Sequence, residues 1–262
     1  MNPKVSVIIA TFNRESFIVE SIESVRKQTF KEWEMIIIDD ASTDNTKDVV
    51  ARYITSDPRI VYYRNDENKG ISKTRNRGLS LAKGIYIAAL DSDDIWLDDN
   101  KLKSQVDFLD ANPDYALIGG GIVYIDENSK PIKKTLYPIY DSVIRNIILQ
   151  YNPFPHSSVL FRKDVALEVG GYAEEPQDSV KRNVSCEDYD LWLKIGLKHK
   201  FTNIPKAIVG YRVHGGNLAR SKRLIVAGAV LEIVKRYKKN YKRPYLGITK
   251  AYLRVLGAYM KC

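Results

Sequence analysis

Short β-branched and aliphatic runs alternate with stretches whose apolar residues recur every three or four positions over the first 111 residues. Val5 to Phe12 reads as a buried strand that ends at Asn13-Arg14, and Phe17, Ile18, Ile22 and Val25 make a helix of Ser16 to Gln28. Met35 to Ile38 is a second strand, stopping at Asp39-Asp40. The next helix carries Val49, Val50, Tyr53 and Ile54 on one face, with Asp44 or Asn45 as its cap. A third strand, Arg59 to Arg64, precedes a helix from Ser72 to Lys83 that Gly84 ends. A fourth strand runs through Tyr86-Ile87-Ala88-Ala89-Leu90 into Asp91, and a helix from Asn100 to Ala111 stops at Asn112-Pro113. Such alternation predicts an α/β fold, a mostly parallel sheet with helices on both faces. Ligands of these sheets bind beyond the carboxyl ends of the strands.

The second half is less regular. Ala116 to Asp126 reads as a strand whose Gly119-Gly120-Gly121 permits a bulge or a close approach. His156 to Arg162 reads as another strand, and Val165 to Val169 as a short helix ended by Gly170-Gly171. Asp188 to Lys198 is helical, and Ala207 to Val213 is a last strand leading into His214. After Arg220 the pattern is two amphipathic helices separated by Arg243-Pro244. The expected organisation is one α/β domain over 1–220, in halves of about 1–115 and 116–220, with a helical tail over 221–262.

The chemistry sits at the strand ends. Asp39-Asp40 closes the second strand and Asp91-Ser92-Asp93-Asp94 the fourth. Alternate side chains of an extended chain point the same way, so Asp91 and Asp93 can converge on one ligand. Crowded carboxylates repel unless a cation or a hydrogen-bonding group lies between them. A divalent ion holding a nucleotide diphosphate would meet that need; ordinary polar turns are the plainer account of any one cluster.

Charge changes the picture at the far end. The chain carries +9 overall, but residues 221–262 carry +10 and the remainder −1. A basic amphipathic tail fits an anionic membrane surface, a solvated helix face being the alternative. No zinc-finger spacing or RNA-binding aromatic signature points to nucleic acid. No run approaches the roughly 20 apolar residues that span a bilayer. With Met1-Asn2-Pro3-Lys4 running straight into a strand, a cytoplasmic protein is expected, peripheral on the inner face of the membrane if the tail binds it. Cys186 and Cys262 make neither a disulfide framework nor a metal spacing, and the sequon Asn183-Val184-Ser185 reads as chance. Nothing in the sequence sets an oligomeric state.

There is no dinucleotide fingerprint, no Gly-Lys-Ser/Thr phosphate loop and no local Ser/His or Cys/His signature. What the chain does have is an ordered series: Ala10-Thr11-Phe12-Asn13-Arg14, Asp39-Asp40-Ala41-Ser42, Asn68-Lys69-Gly70 with Arg75-Asn76-Arg77-Gly78, and Leu90-Asp91-Ser92-Asp93-Asp94. Gly170-Gly171-Tyr172 and Glu187-Asp188-Tyr189-Asp190-Leu191-Trp192 follow. This series resembles glycosyltransferase family 2 over roughly residues 4 to 217.

The resemblance implies a GT-A fold and an inverting transfer of one sugar from a nucleotide diphosphate sugar, expected to be a UDP-sugar. The acceptor would be a saccharide, lipid-linked in cell-surface polysaccharide assembly. By the same resemblance Thr11, Phe12, Asn13 and Arg14 border the nucleotide, Asp40 meets its base, and Arg75 lies near base and diphosphate. Asp91, Ser92 and Asp93 form the Asp-x-Asp motif, Asp93 being the direct ligand of Mn²⁺ or Mg²⁺, both hard cations suited to oxygen donors. His214 would stand near that metal, or else be a surface or core histidine. Asp188 matches the general base, although Glu187-Asp188 also suits a helix N-terminus. His156, Glu187 and Trp96 are acceptor-side candidates, Trp96 as a sugar platform or as core. The Gln-x-x-Arg-Trp motif of processive synthases is absent, which favours single additions. A sugar nucleotidyltransferase is the alternative enzyme, though the first loop lacks its Gly-rich, basic character. An inactive scaffold member of the same family is the non-enzymatic alternative.

Overall fold

In the computed structural model of the chain, which describes residues 2–174, 186–215 and 222–260, the apolar runs form one sheet. β1 (Val5–Thr11), β2 (Trp33–Asp39) and β4 (Tyr86–Ala89) are buried at every residue. That explains why these strands are continuously apolar: both faces are covered. The covers are α1 (Ile18–Arg26), α2 (Thr46–Ser56), α3 (Ile71–Leu81) and α4 (Lys101–Ala111). Val5, Val7 and Ile9 of β1 pack in one layer with Ile18, Ile22 and Leu102, while Ile8 faces the other with Leu79.

β3 (Ile60–Arg64) completes a parallel set, β3-β2-β1-β4. Beyond β4 come β8 (Leu160–Arg162), β6 (Tyr115–Ile125), β9 (Lys200–Arg212) and β5 (Ile95–Trp96), with β7 (Pro131–Thr135) beside β6. β8 is antiparallel to β4 and to β6, whereas β9 runs parallel to β6. The β6–β9 register shifts at Gly120/Gly121 and Gly121/Ile122, as the glycine run suggests. A Cβ on Gly120 would lie 2.5 Å from Ile208 Cδ1, so only glycine lets the two strands close there.

Several local expectations need correction. His156 to Ser158 is a 3₁₀ turn, and the strand begins only at Leu160. Its serines are committed elsewhere, Ser157 Oγ donating to Asp94 Oδ2 at 2.6 Å and Ser158 Oγ to Pro155 O at 2.7 Å, and such bonds compete with a ladder. Gly84 does not cap α3, which ends at Leu81. It lets the chain pass β1, since a Cβ there would meet Ser6 N at 2.6 Å. β5, β7 and α5 (Asp141–Ile147) are elements that periodicity missed. β7 is mostly exposed and opens on Pro131, so no apolar alternation marks it.

α6 (Lys163–Glu168) ends at Gly170 and Gly171, both at positive φ, and α7 (Glu187–Ile195) follows in the second half of the chain. The tail forms α8 (Arg223–Tyr237) and α9 (Pro244–Tyr259), with Pro244 opening α9. α8 buries Leu231, Val234 and Tyr237 in the same core as Trp192 and Phe201. At about 1.5–3 kcal/mol per fully buried large side chain, that packing ties α8 to the body. The sequon at Asn183, the 220/221 boundary and Cys262 lie outside the described residues.

Candidate active site

The carboxyl ends of β1, β2 and β4 open into a cleft of about 700 Å³ whose far wall is the start of α7. Its lining includes Thr11, Phe12, Asn13, Arg14, Asp40, Arg75, Asp91, Ser92, Asp93, His156, Glu187 and Asp188. Thr11 and Asp188, 177 positions apart, thus meet in one cavity.

The first two loops are knitted together. Asn13, at φ 52°, donates its N–H to Ser42 Oγ at 2.9 Å and accepts Thr43 N–H on Oδ1 at 2.8 Å. Arg14 N–H donates to Thr46 Oγ1 at 3.0 Å and Glu15 N–H to Asp44 Oδ2 at 3.1 Å. Ala41 adopts φ 65°, a left-handed backbone costing a non-glycine residue roughly 1–2 kcal/mol. That turn brings Ser42 N–H to Asp39 Oδ1 at 2.7 Å. Asp39 is fully buried and also takes the Tyr62 hydroxyl at 2.5 Å. Asp40 lines the cleft, but its oxygens accept Asn65 Nδ2 at 2.6 Å and the N–H groups of Lys69 and Gly70, each at 2.9 Å. It organises the 65–70 loop as well as facing the pocket.

Arg75 joins the two halves. Its guanidinium, 7% exposed, pairs with Glu187 and donates to Asp91 Oδ1 at 2.5 Å. Burial opposes its charge, but Asp91 and Glu187 outweigh burial and hold its pKa above the ordinary value. Asp91 also meets His156 Nδ1 at 2.9 Å, and His156 Nε2 lies 3.1 Å from the Tyr172 hydroxyl. Burial alone would raise the Asp91 pKa; His156 and then Arg75 overcome it and keep the carboxyl well below the usual range.

Asp93 Oδ2 meets His214 Nε2 at 2.9 Å and accepts Arg14 Nε at 3.3 Å. Asp94 sits beneath and is buried, and burial, with Asp93 and Asp91 beside it, pushes its carboxyl well above the normal carboxylate range. It accepts Arg212 N–H at 2.8 Å, and the fully buried Arg212 side chain donates to Asp93 O at 2.8 Å, to the 126–129 turn and to Glu20. Three carboxyls with a histidine alongside are an oxygen- and nitrogen-donor set of the kind divalent cations accept. Among the described residues no three His, Cys, Asp or Glu side chains converge to hold a metal by themselves. A cation here would rest on Asp93 and His214 and would need its remaining ligands from outside the protein. Thr11 Oγ1 and Arg75 Nε are buried without a partner among the described residues, and both residues line the same cleft.

Asp188 opens α7. Its Oδ1 accepts the N–H of Tyr189 at 2.7 Å and its Oδ2 accepts Asn152 Nδ2 at 3.2 Å. Burial first, then the charge of Glu187, pushes its pKa up to about 6, against the opposing pull of His156 and Arg75. A carboxyl tuned toward neutrality in a cleft is suited to take a proton.

Trp96 requires correction. It is 4% exposed, stands outside the cleft lining and donates Nε1–H to Ser157 O at 2.9 Å, so it is core and not a sugar platform. Periodicity also missed a wall of Tyr124, Tyr137 and Tyr211, with Asn152 nearby. The rings of Tyr124 and Tyr211 meet edge-on at 5.5 Å. Their strands could be read in the sequence, but which face they turn to the cleft could not.

Comparison with known proteins gives the family and the fold of the chain. The glycosyltransferase EpsE of Bacillus subtilis, an assignment by name, is 36% identical over 193 residues, spanning 73% of this chain and 66% of that one. UDP-Glc:α-D-GlcNAc-diphosphoundecaprenol β-1,3-glucosyltransferase WfaP of Escherichia coli is 32% identical over 222 residues, 83% of this chain and 80% of that one. In fold, the chain matches the mannosyltransferase PcManGT of Pyrobaculum calidifontis, solved with GDP-Man and Mn²⁺, at a TM-score of 0.71 and 19% identity, covering 99% and 74% of the two chains. The model of Glycosyl transferase family 2 matches residues 6–170, and the chain belongs to that family.

Proposed function

We propose that this protein transfers a single sugar, with inversion, from a nucleotide diphosphate sugar to a saccharide hydroxyl. The observation that carries the reading is that Asp188, with its raised pKa, shares one cleft with the Asp91–Asp93 strand end. In the reaction the acceptor O–H gives its proton to Asp188 while its oxygen bonds to C1. The bond from C1 to the diphosphate oxygen breaks, and the diphosphate departs with the electron pair. Thr11, Asn13, Arg14 and Asp40 lie where base and ribose would bind, and Arg75, already ion-paired, orders the diphosphate end. Asp93 and His214, with Asp91 behind, would hold a Mn²⁺ or Mg²⁺ ion. That ion would neutralise charge on the departing diphosphate. His156, Glu187 and the tyrosine wall face the acceptor side. UDP is the nucleotide we favour, on the likeness to the Escherichia coli relative. Release of UDP from candidate UDP-sugars in the presence of a lipid-diphosphate saccharide tests the reading; no turnover with any donor would overturn it.

The base must be ionised, so turnover is expected to rise with pH along a limb centred at about 6. Measuring kcat between about pH 5 and pH 8 checks this, and a flat profile would remove Asp188 from the role.

The acceptor reading extends to a lipid-linked saccharide at an anionic membrane surface. No helix among the described residues is long and apolar enough to cross a membrane. α9 instead leaves Tyr245, Tyr252, Leu253, Leu256 and Tyr259 exposed, and Lys238, Lys239, Lys242 and Arg243 stand exposed between the helices. Apolar side chains rimmed by cations fit an anionic bilayer. The full chain is expected to co-sediment with anionic vesicles, and Leu253→Glu with Leu256→Glu to weaken that at least about tenfold. Equal sedimentation of both proteins would rule the docking out. A truncation at 220 is unsuitable here, because α8 contributes Leu231 and Val234 to the core.

A further inference from the structure

Each carboxylate oxygen of Asp188 is fixed by a different segment, and each of those segments is gripped by a different tail helix. Oδ1 accepts from the backbone of α7 itself, at Tyr189. Two residues after Asp188, Asp190 points away from the cleft and is 1% exposed. Residues two apart on a helix stand roughly 200° around its axis, so a base on one side and a clamp on the other is what this spacing gives. The clamp comes from α8: Asp190 Oδ1 accepts Arg236 Nη1 at 2.8 Å and the Tyr237 hydroxyl at 3.1 Å. Lys194 Nζ stands 2.9 Å from Oδ2 as an ion pair, and the Tyr241 hydroxyl, just beyond α8, donates to Leu193 O at 2.7 Å.

The other oxygen, Oδ2, depends on Asn152. Two residues before Asn152, Gln150 accepts Lys250 Nζ on Oε1 at 2.7 Å and Arg254 Nη2 on its carbonyl at 2.5 Å, both from α9. Packing alone does not need a buried carboxylate at 190, because an apolar residue of that size would bury more cheaply. A charged, multiply bonded clamp fixes the rotation of α7 about its axis, which a greasy contact leaves loose. α8 also reaches the cleft wall itself at Val226, against which Cys186 packs just before α7.

We infer that the C-terminal helix pair is a positioning element for the catalytic carboxylate: α8 sets the rotation of α7 through Asp190, and α9 sets Asn152 through Gln150. The inference rests on the proposal that Asp188 is the base. It makes the tail part of the machinery of transfer in addition to any docking role.

The test uses the full chain. Arg236→Gln combined with Tyr237→Phe loosens one hold, Lys250→Ala with Arg254→Ala the other, and Arg236→Lys is the conservative control. A displacement of about an ångström can cost up to 10²-fold in rate, so a fall in kcat of about tenfold is expected for either pair, with donor KM changed less than about twofold. The acid limb of kcat should also move, because the charged groups facing Asp188, namely Glu187 beside it, Arg75 from α3 and His156 from the 3₁₀ turn, would stand at altered distances. Arg236→Lys should restore both values. Unchanged kcat with an unmoved limb would overturn the inference. So would a kcat that falls only in proportion to the folded fraction while the limb stays in place, since that is loss of fold alone. Asp188→Asn separates the two layers: near-normal turnover there would remove the base reading whatever the tail variants do.

Discussion

Asp188→Asn is expected to lower turnover by about 10²-fold or more while leaving donor affinity close to that of the native protein. The amide keeps the shape of the carboxylate but cannot take the acceptor proton. One of its hydrogen bonds survives either way, since a side-chain oxygen remains to accept the Tyr189 N–H seen at 2.7 Å. The fold should therefore be indifferent, and steady-state kinetics with a true acceptor gives the answer. The native acid limb near pH 6 should vanish from whatever activity remains. Near-normal turnover would shift the role, with Glu187 the next candidate; yet Glu187 is already ion-paired to the buried Arg75, which makes it the poorer base.

Asp93→Ala is the second large effect, on binding this time. The carboxylate meets only Arg14 at 3.3 Å and His214 at 2.9 Å among the contacts described, and its side chain is 15% exposed. Its loss removes no core packing. Calorimetry of UDP with and without Mn²⁺ should show metal-dependent affinity in the native chain and none in the variant. Unchanged metal dependence in Asp93→Ala would sink the assignment of Asp93 as the ligand. Stability should alter little.

How much of this could be read from the chain depends on the range of the interaction. The buried strands β1, β2 and β4 are legible because burial on both faces leaves a continuous apolar run. The carboxylates at their ends follow directly, since a strand's end fixes where its next residues stand. Motif order then pointed to Asp188 as the candidate base. The ion pair of Arg75 with Glu187 joins residues 112 positions apart, and no local rule reaches that far. The hold of Asn152 on Asp188 and the tyrosine wall are likewise products of tertiary packing. His156 shows the local version of the problem: its β-like neighbours Val159 to Phe161 suggested a strand, but Pro155 and the two serine hydroxyls made a turn instead. That turn is what aims His156 at Asp91. Trp96 misled for the opposite reason, since proximity in sequence to the acidic motif says nothing of which way an indole faces. In the tail, spacing gave both helices and their proline break, while the division between residues packed on the body and residues facing outward needed the three-dimensional arrangement.

Arg212 bears on how such proteins can be recombined. Its guanidinium, contributed by the last strand, is bonded at once to the acidic motif, to a turn in the middle of the chain and to the first helix. A chimera that joins residues 1–115 of this chain to the remainder of a relative would keep Glu20 and Asp93 but take the residue at position 212 from the relative. The Asp93 carbonyl and the Glu20 carboxylate would then face a side chain not shaped for them. Exchange of donor specificity between relatives is thus better attempted by replacing loops within one half than by joining halves at the midpoint, unless positions 20, 94, 129 and 212 travel as a set.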